Sequence, residues 1–97
     1  MKARHAFAAG LLLCAGATSV PAAEVPPGAA SCTGCHATTT NVDTSVPRLA
    51  GRDAPAIVAA MQAFRAGQRP ATVMDRIAKG FSDDEIKAIA AWFGAQR

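Results

Sequence analysis

The stretch Ser31-Cys-Thr-Gly-Cys-His-Ala37 holds three side chains that bind metals or form covalent bonds. Cys32 and Cys35 are three positions apart, and His36 directly follows the second cysteine. A cysteine pair this close is compatible with a disulfide, a redox dithiol, half of a zinc site or the attachment point of a haem. The rest of the sequence distinguishes between these four kinds of chemistry.

Three of the four interpretations fit the sequence poorly. A disulfide across so short a loop would stabilise the fold little, because its effect on the unfolded chain grows with loop length. A zinc site needs about four protein ligands, whereas residues 24–97 contain one cysteine pair and one histidine. A thioredoxin-like dithiol belongs to a framework with a parallel sheet, and no alternating strand pattern occurs in this sequence.

The pattern C-x-x-C-H is that of c-type haem attachment. Thiols at this spacing can both bond to vinyl groups on one edge of a porphyrin, and the imidazole of the next residue then lies under the iron. We therefore predict one haem c per chain, bound covalently through Cys32 and Cys35, with His36 as an axial ligand of the iron.

The N-terminal segment has the layout of a secretory signal peptide. Basic residues at its start precede an uncharged run over residues 6–23 with an apolar centre and an end rich in small residues. A membrane-spanning helix needs roughly 20 strongly apolar residues, whereas this run is rich in Ala and Gly and contains Pro21. We expect residues 1–23 to be removed, which leaves a periplasmic protein with no membrane span and one domain over residues 24–97.

Length and charge narrow the possible functions further. The chain has 97 residues and a formal net charge of +3 at pH 7, which gives no support to a role in nucleic-acid binding. Cys14 lies in the expected signal segment, where the bulky Leu13 before it argues against lipid attachment. A domain this small is marginally stable alone and commonly gains a disulfide, a metal or a tightly bound group. A covalently held haem would supply the additional core.

Local patterns predict an all-α fold with three main helices around one haem. Asp53 is a suitable N-cap for an amphipathic helix that ends near Gly67. Ser82 and Glu85 form a capping-box pattern at the start of a second helix, which should run almost to the C-terminus. A shorter helix of small residues is predicted over residues 27–35. The connection between the two longer helices should contain one or two short helical turns.

We predict that a methionine occupies the second axial position of the iron. His5 belongs to the expected signal segment, so the remaining chain cannot provide two imidazole ligands. Methionine/histidine ligation, which raises the reduction potential, is the other common electron-transfer arrangement, and Met61 and Met74 are its candidates. Met61 lies in an amphipathic stripe, where methionine is an ordinary core residue. Met74 lies in an irregular connection that can be shaped around the iron, and we predict it to be the ligand.

The chain resembles the class I c-type cytochromes over nearly all of residues 24–97. The resemblance rests on C-x-x-C-H, the stretch Pro47-Arg48-Leu49-Ala50-Gly51, a methionine-bearing loop and a C-terminal amphipathic helix with Trp92. It implies a small cytochrome c-like fold in which the carbonyl of Pro47 accepts a hydrogen bond from Nδ1 of His36. It also implies that the N-terminal and C-terminal helices cross near Trp92 or Phe93.

A narrower resemblance covers residues 63–86. This part looks like the small haem subunit of flavocytochrome c sulfide dehydrogenases and the related soluble monohaem cytochromes of sulfur oxidisers. The methionine of the Thr-Val-Met stretch is the distal ligand in that family, which implies the same role for Met74. A single C-x-x-C-H motif matches the monohaem type.

These features predict a protein that transfers single electrons between redox partner proteins rather than an enzyme. The alternative is a haem subunit of a sulfide-oxidising complex, in which a flavoprotein carries out the catalysis. A third class, a haem enzyme or gas sensor, would need an open distal position. For Arg65, Arg69 and Arg76, the nearest candidates for distal groups, we expect solvated charges, with a docking face around the haem edge as the alternative.

Overall fold

The structure, a computed structural model, describes residues 16–17, 19 and 24–96. This part of the chain contains helices and no strand, so the predicted all-α class is confirmed. The predicted signal segment and Arg97 lie outside the described residues, apart from residues 16, 17 and 19. The helices are α1 (Ala29–Cys32), α2 (Ala54–Arg65), α3 (Met74–Ala78) and α4 (Asp83–Gly94).

Helix α2 begins and ends where its sequence signals indicate. Oδ2 of Asp53 accepts a hydrogen bond from the Ala56 backbone N–H at 3.1 Å, which satisfies one of the free donors of the first turn. Pro55 lies in the same turn, where its missing N–H costs nothing. The helix ends at Arg65, just before Gly67 adopts a φ of +71°. The prediction for this helix is confirmed.

Helix α4 begins with a complete capping box. The Glu85 backbone N–H donates to Oγ of Ser82 at 3.2 Å, and the Ser82 backbone N–H donates to Oε2 of Glu85 at 2.8 Å. Acidic residues fill the first turn, where the positive end of the helix dipole favours them. The helix ends at Gly94, in agreement with the prediction that it runs almost to the C-terminus.

One of the two short helices differs from the prediction. Helix α1 covers only Ala29–Cys32, and the chain continues to Cys35 in tight turns with backbone bonds between residues three apart. Helix α3 is a short helical turn of the kind predicted for the connection, with Met74 as its first residue. Helices this short depend on contacts with the rest of the fold.

The buried core lies mainly between α2 and α4, with a contribution from α1. Ala29 is fully buried in the same cluster as Phe93, which is 2% exposed, so the first and last helices meet there. Trp92 packs at the edge of this cluster, with its ring 4.9 Å from that of Phe93 in an edge-on arrangement. The cluster consists of Ala29, Ile57, Ile89, Ala90 and Phe93.

Gly28 permits the close approach of α1 to α4 and to the end of the α3–α4 connection. Its φ of +89° is in the left-handed region that favours glycine. A Cβ at this position would lie 2.5 Å from Cε1 of Phe81 and 3.4 Å from Cδ1 of Ile89. Glycine is needed here because it adopts this backbone conformation without strain and has no Cβ that would overlap the Phe81 ring.

Within the described part of the chain, none of the helices combines the length and apolar character needed to cross a membrane.

Candidate functional site

A cavity of about 930 Å³ lies between the turn after α1, the loop that precedes α2, and the helices α2 and α3. Its size is near the upper end of the roughly 300–1,000 Å³ range of small-molecule and cofactor sites. All the predicted site residues line it, although they come from distant parts of the sequence. They are Cys32, Cys35, His36, Pro47 and Met74.

The cysteines and the histidine are placed by backbone hydrogen bonds at the end of α1. The His36 and Cys35 backbone N–H groups both donate to the carbonyl of Cys32, at 2.9 and 3.3 Å. Cys32 and Cys35 form no disulfide with each other. Sγ of Cys32 lies 3.5 Å from the carbonyl oxygen of Gly28, and burial raises the pKa of this thiol.

The ring of His36 is oriented by the loop before α2. Its Nδ1 lies 2.5 Å from the carbonyl oxygen of Pro47. Because a carbonyl can only accept, Nδ1 carries the proton and Nε2 keeps a free lone pair. This is the arrangement in which an outer hydrogen bond sets the tautomer and raises the basicity of a metal-binding histidine.

The loop that presents the Pro47 carbonyl is itself attached to α4. The Gly51 backbone N–H donates to the carbonyl of Phe93 at 3.0 Å. Nε of Arg52 donates to the carbonyl of Arg48 at 2.6 Å, which closes the loop on itself. The orientation of His36 thus depends on contacts that lead to the buried core.

The two candidate methionines both line the cavity but differ in what surrounds them. Met61, on α2, packs against the buried cluster as a half-buried core residue. Met74 is the first residue of α3, also half-buried, and is not among the side chains that pack on that cluster. The sequence argument for treating Met61 as a core residue agrees with this packing.

Arg65 does not follow the prediction of a solvated charge. Its guanidinium donates to the carbonyl of Phe81 and to Oδ1 of Asp83, each at 2.6 Å, and more weakly to the carbonyl of Ala78 at 3.5 Å. The prediction was wrong because the acceptors lie 13 to 18 positions further along the chain, where no local pattern reveals them.

The other cationic side chains near the cavity have different surroundings. The guanidinium of Arg69 lies 4.9 Å from the centre of the Phe64 ring, in a cation–π contact, and lines the cavity. Arg52 lines the cavity as well, a position that the sequence analysis did not assign to it. Arg76 is exposed on α3, as predicted.

The residues present fit a haem. Two thiols, an imidazole with a free Nε2 and a thioether share one cavity, and the guanidinium groups of Arg52 and Arg69 could offset the two carboxylates of the porphyrin. Many of the large apolar side chains line this cavity, and some of them also pack on the core cluster. These apolar lining residues are Leu49, Met61, Phe64, Ile77 and Phe81.

The donor set suits a haem better than a zinc ion. A structural zinc site takes about four protein ligands. Among the described residues, no group of three or more His, Cys, Asp or Glu side chains is arranged so that it could hold a metal ion.

Several known proteins are similar to this chain. The cytochrome subunit of sulfide dehydrogenase from Chlorobaculum tepidum is 42% identical over 64 residues, which cover 66% of this chain and 58% of that protein. The thiosulfate dehydrogenase electron acceptor from Stutzerimonas stutzeri is 39% identical over 66 residues, which cover 64% of this chain and 31% of that protein. Cytochrome c-554(548) from Halomonas halodenitrificans is 34% identical over 70 residues, which cover 68% of this chain and 84% of that protein.

The extent of these matches differs between the relatives. The aligned part spans 58% of the sulfide dehydrogenase subunit and 31% of the thiosulfate dehydrogenase electron acceptor, but most of cytochrome c-554(548). No family model matches the chain. The names describe cytochromes or an electron acceptor, which confirms the resemblance predicted from the sequence and agrees with an electron-transfer role rather than a catalytic one.

Proposed function

Because this chain belongs to the small c-type cytochromes, we propose that it carries single electrons between redox partner proteins by means of one covalently bound haem c. Membership of the family implies haem c as the cofactor. The observation that carries the proposal is the convergence of Cys32, Cys35, His36 and Met74 on one largely apolar cavity. When bound, haem c supplies an iron that takes up and gives up one electron at a time.

Each site residue has a separate task in this proposal. Cys32 and Cys35 hold the cofactor through their sulfur atoms. His36 offers Nε2 to the iron, and the carbonyl of Pro47 keeps the proton on Nδ1. Met74 would offer its thioether as the second ligand of the iron, and a methionine/histidine ligand pair raises the reduction potential. The apolar walls limit the access of water, which also tunes the potential.

Replacement of the two methionines tests the assignment of the distal ligand. We expect Met74→Ala to lower the reduction potential, to change the absorption spectrum and to let imidazole bind the ferric iron. Met61→Ala is the matched control, because Met61 lines the same cavity from α2, and it should keep the potential and the spectrum. If Met61→Ala produces these changes and Met74→Ala does not, the assignment is reversed.

We also propose that residues 1–23 direct export to the periplasm and are then removed, so that the working protein is a cytochrome c domain over residues 24–97. The support is the charge and apolar pattern of the N-terminal segment. Mass spectrometry of the protein purified from the periplasmic fraction should give a chain that begins near Glu24, with the mass of one haem added. A full-length chain in the cytoplasmic fraction would contradict this proposal.

A second candidate is a haem subunit of a sulfide-oxidising flavoprotein complex. Its support is the 42% identity to a protein named as the cytochrome subunit of sulfide dehydrogenase.

Purification from the native host distinguishes the two candidates. A subunit should copurify with a flavoprotein at low salt. A free carrier should elute alone under the same conditions, which would contradict the second candidate.

A further inference from the structure

We propose that Arg65 is a positioning residue for the distal ligand: it holds α3 against the end of α2 and thereby keeps Met74 at the cavity. The proposal rests on the proposed function, since it takes Met74 as the iron ligand. The sequence pattern offered this arginine only as a solvated charge, a distal group or part of a docking face, and the names of the relatives assign it no role.

The contacts of Arg65 join three elements. The residue is the last of α2, and its Nε approaches the carbonyl of Ala78, the last residue of α3, at 3.5 Å. Its Nη2 donates to the carbonyl of Phe81 at 2.6 Å. Its Nη1 pairs with Oδ1 of Asp83, the first residue of α4, at 2.6 Å. One planar guanidinium therefore spans the whole α3–α4 connection.

Helix α3 needs such support because it cannot be stable alone. It has five residues, and its N-cap Val73 makes no side-chain cap hydrogen bond. A helix this short is far below the roughly 12–15 residues at which isolated helices become even marginal. A cation at the C-terminal end satisfies free carbonyl groups and interacts favourably with the helix dipole.

The position of the arginine makes its contacts stronger than those of a surface charge. Its side chain is only 31% exposed, and two of its three acceptors are backbone carbonyls that cannot move away independently of the fold. Hydrogen bonds from a charged donor are roughly twice as strong as those between neutral groups. Loss of the guanidinium should therefore loosen α3 more than it loosens α2, which has its own N-cap and buried face.

The consequence for the site follows from the order of residues on α3. Met74 is at the start of the helix and Ala78, the residue nearest to Arg65, is at its end. A loosened α3 lets the thioether leave the iron more often, so an external ligand competes more successfully. Arg65 itself needs no contact with the haem for this effect.

The test measures how tightly imidazole binds the ferric holoprotein. We expect Arg65→Ala to tighten imidazole binding about tenfold, which corresponds to about 1.4 kcal/mol, and to lower the reduction potential. Arg76→Ala is the matched control, because this exposed arginine on α3 has no hydrogen-bonding side-chain partner among the described residues, and it should stay within about twofold of the wild type. Arg65→Lys, which keeps the charge but not the planar fork, should lie between the two.

A double-mutant cycle shows whether Arg65 acts through Met74. In a Met74→Ala background the arginine has no ligand to position, so Arg65→Ala should produce no further change in imidazole binding. If the tenfold effect persists in that background, or if Arg65→Ala lowers only the unfolding free energy and leaves imidazole binding unchanged, the proposal is overturned. If Met74→Ala by itself binds imidazole no better than the wild type, the ligand assignment fails first, which is a separate outcome.

Discussion

The two sides of the cavity are held in different ways. On the His36 side, the ligand lies next to the cysteines in sequence, its ring is oriented by the carbonyl of Pro47, and the loop behind that carbonyl is tied to Phe93 in the core. On the Met74 side, a five-residue helix packs against α2, buries Ala78 and is also bonded at its far end to Arg65. We call the first side the packed side, because it is continuous with the core, and the second the tethered side, because polar contacts of one long side chain add to its packing.

The difference indicates which side can give way. An element that is packed on the core opens only with the core, whereas one attached by a few polar contacts opens locally at a lower free-energy cost. Helix α3 should therefore be the part of the cavity wall that moves when an external ligand enters. The following substitutions test this contrast between a packed side and a tethered side.

The largest effect is expected on the packed side, at Gly28. Gly28→Ala should lower the free energy of unfolding by about 3 kcal/mol, because it combines left-handed backbone strain with overlap of the Phe81 ring. Guanidinium unfolding of the holoprotein, followed by far-UV circular dichroism, measures this loss.

Gly67→Ala is the matched control for that substitution. Gly67 also has a positive φ, +71°, but no atom lies within 4 Å of the position of its absent Cβ. It should cost about 1 kcal/mol, the backbone strain alone. Equal losses in the two variants would show that the close approach of α1 to Phe81 is not a structural requirement.

An intermediate effect is expected at the cap of α4, the element on which both sides depend. Ser82→Ala removes the hydroxyl that accepts from the Glu85 backbone N–H, and it should cost about 1 kcal/mol of unfolding free energy. Ser82→Gly should lower the free energy of unfolding by only a few tenths of a kcal/mol, about 0.3, because glycine is also accepted at N-caps. A loss below about 0.3 kcal/mol in Ser82→Ala would mean that water replaces the cap.

The smallest effect is expected for the ion pair on the tethered side. Asp83→Asn removes the charge that pairs with Nη1 of Arg65, while the arginine keeps its two carbonyl acceptors. The side chain of Asp83 is 60% exposed, so the loss should be about 0.5 kcal/mol at low salt and should shrink as the salt concentration rises. A salt-independent loss larger than about 1.5 kcal/mol would instead place this pair among the main supports of α3.

Local chemistry explains which parts of the fold the sequence predicted well. The caps of Asp53 and Ser82 act on backbone groups three residues away, so the residues that form the pattern also make the contact. Helix α1 was predicted too long, because small residues permit a helix but do not show where turns replace it. Helix α3 was predicted only as a short turn, since no side-chain cap marks its start.

The site residues also divide into those that a local sequence pattern predicts and those that only distant contacts reveal. The C-x-x-C-H motif specifies haem attachment from consecutive residues, and the family resemblance added a role for Pro47, whose carbonyl the structure places beside His36. Arg65 was expected to be a solvated charge, because an arginine at the end of an amphipathic helix gives no local sign of its acceptors. The presence of Arg52 at the cavity was missed for a similar reason.

The sequence alone determined the all-α class, the caps of the two long helices, the core role of Met61 and a cysteine–histidine motif typical of haem attachment, because each depends on residues close together in the chain. Only the tertiary structure decided that Met74 begins a separate short helix and that Arg65 bonds to the end of this helix. These features depend on side chains whose partners lie far along the chain, and their conformations are selected only when the helices have packed.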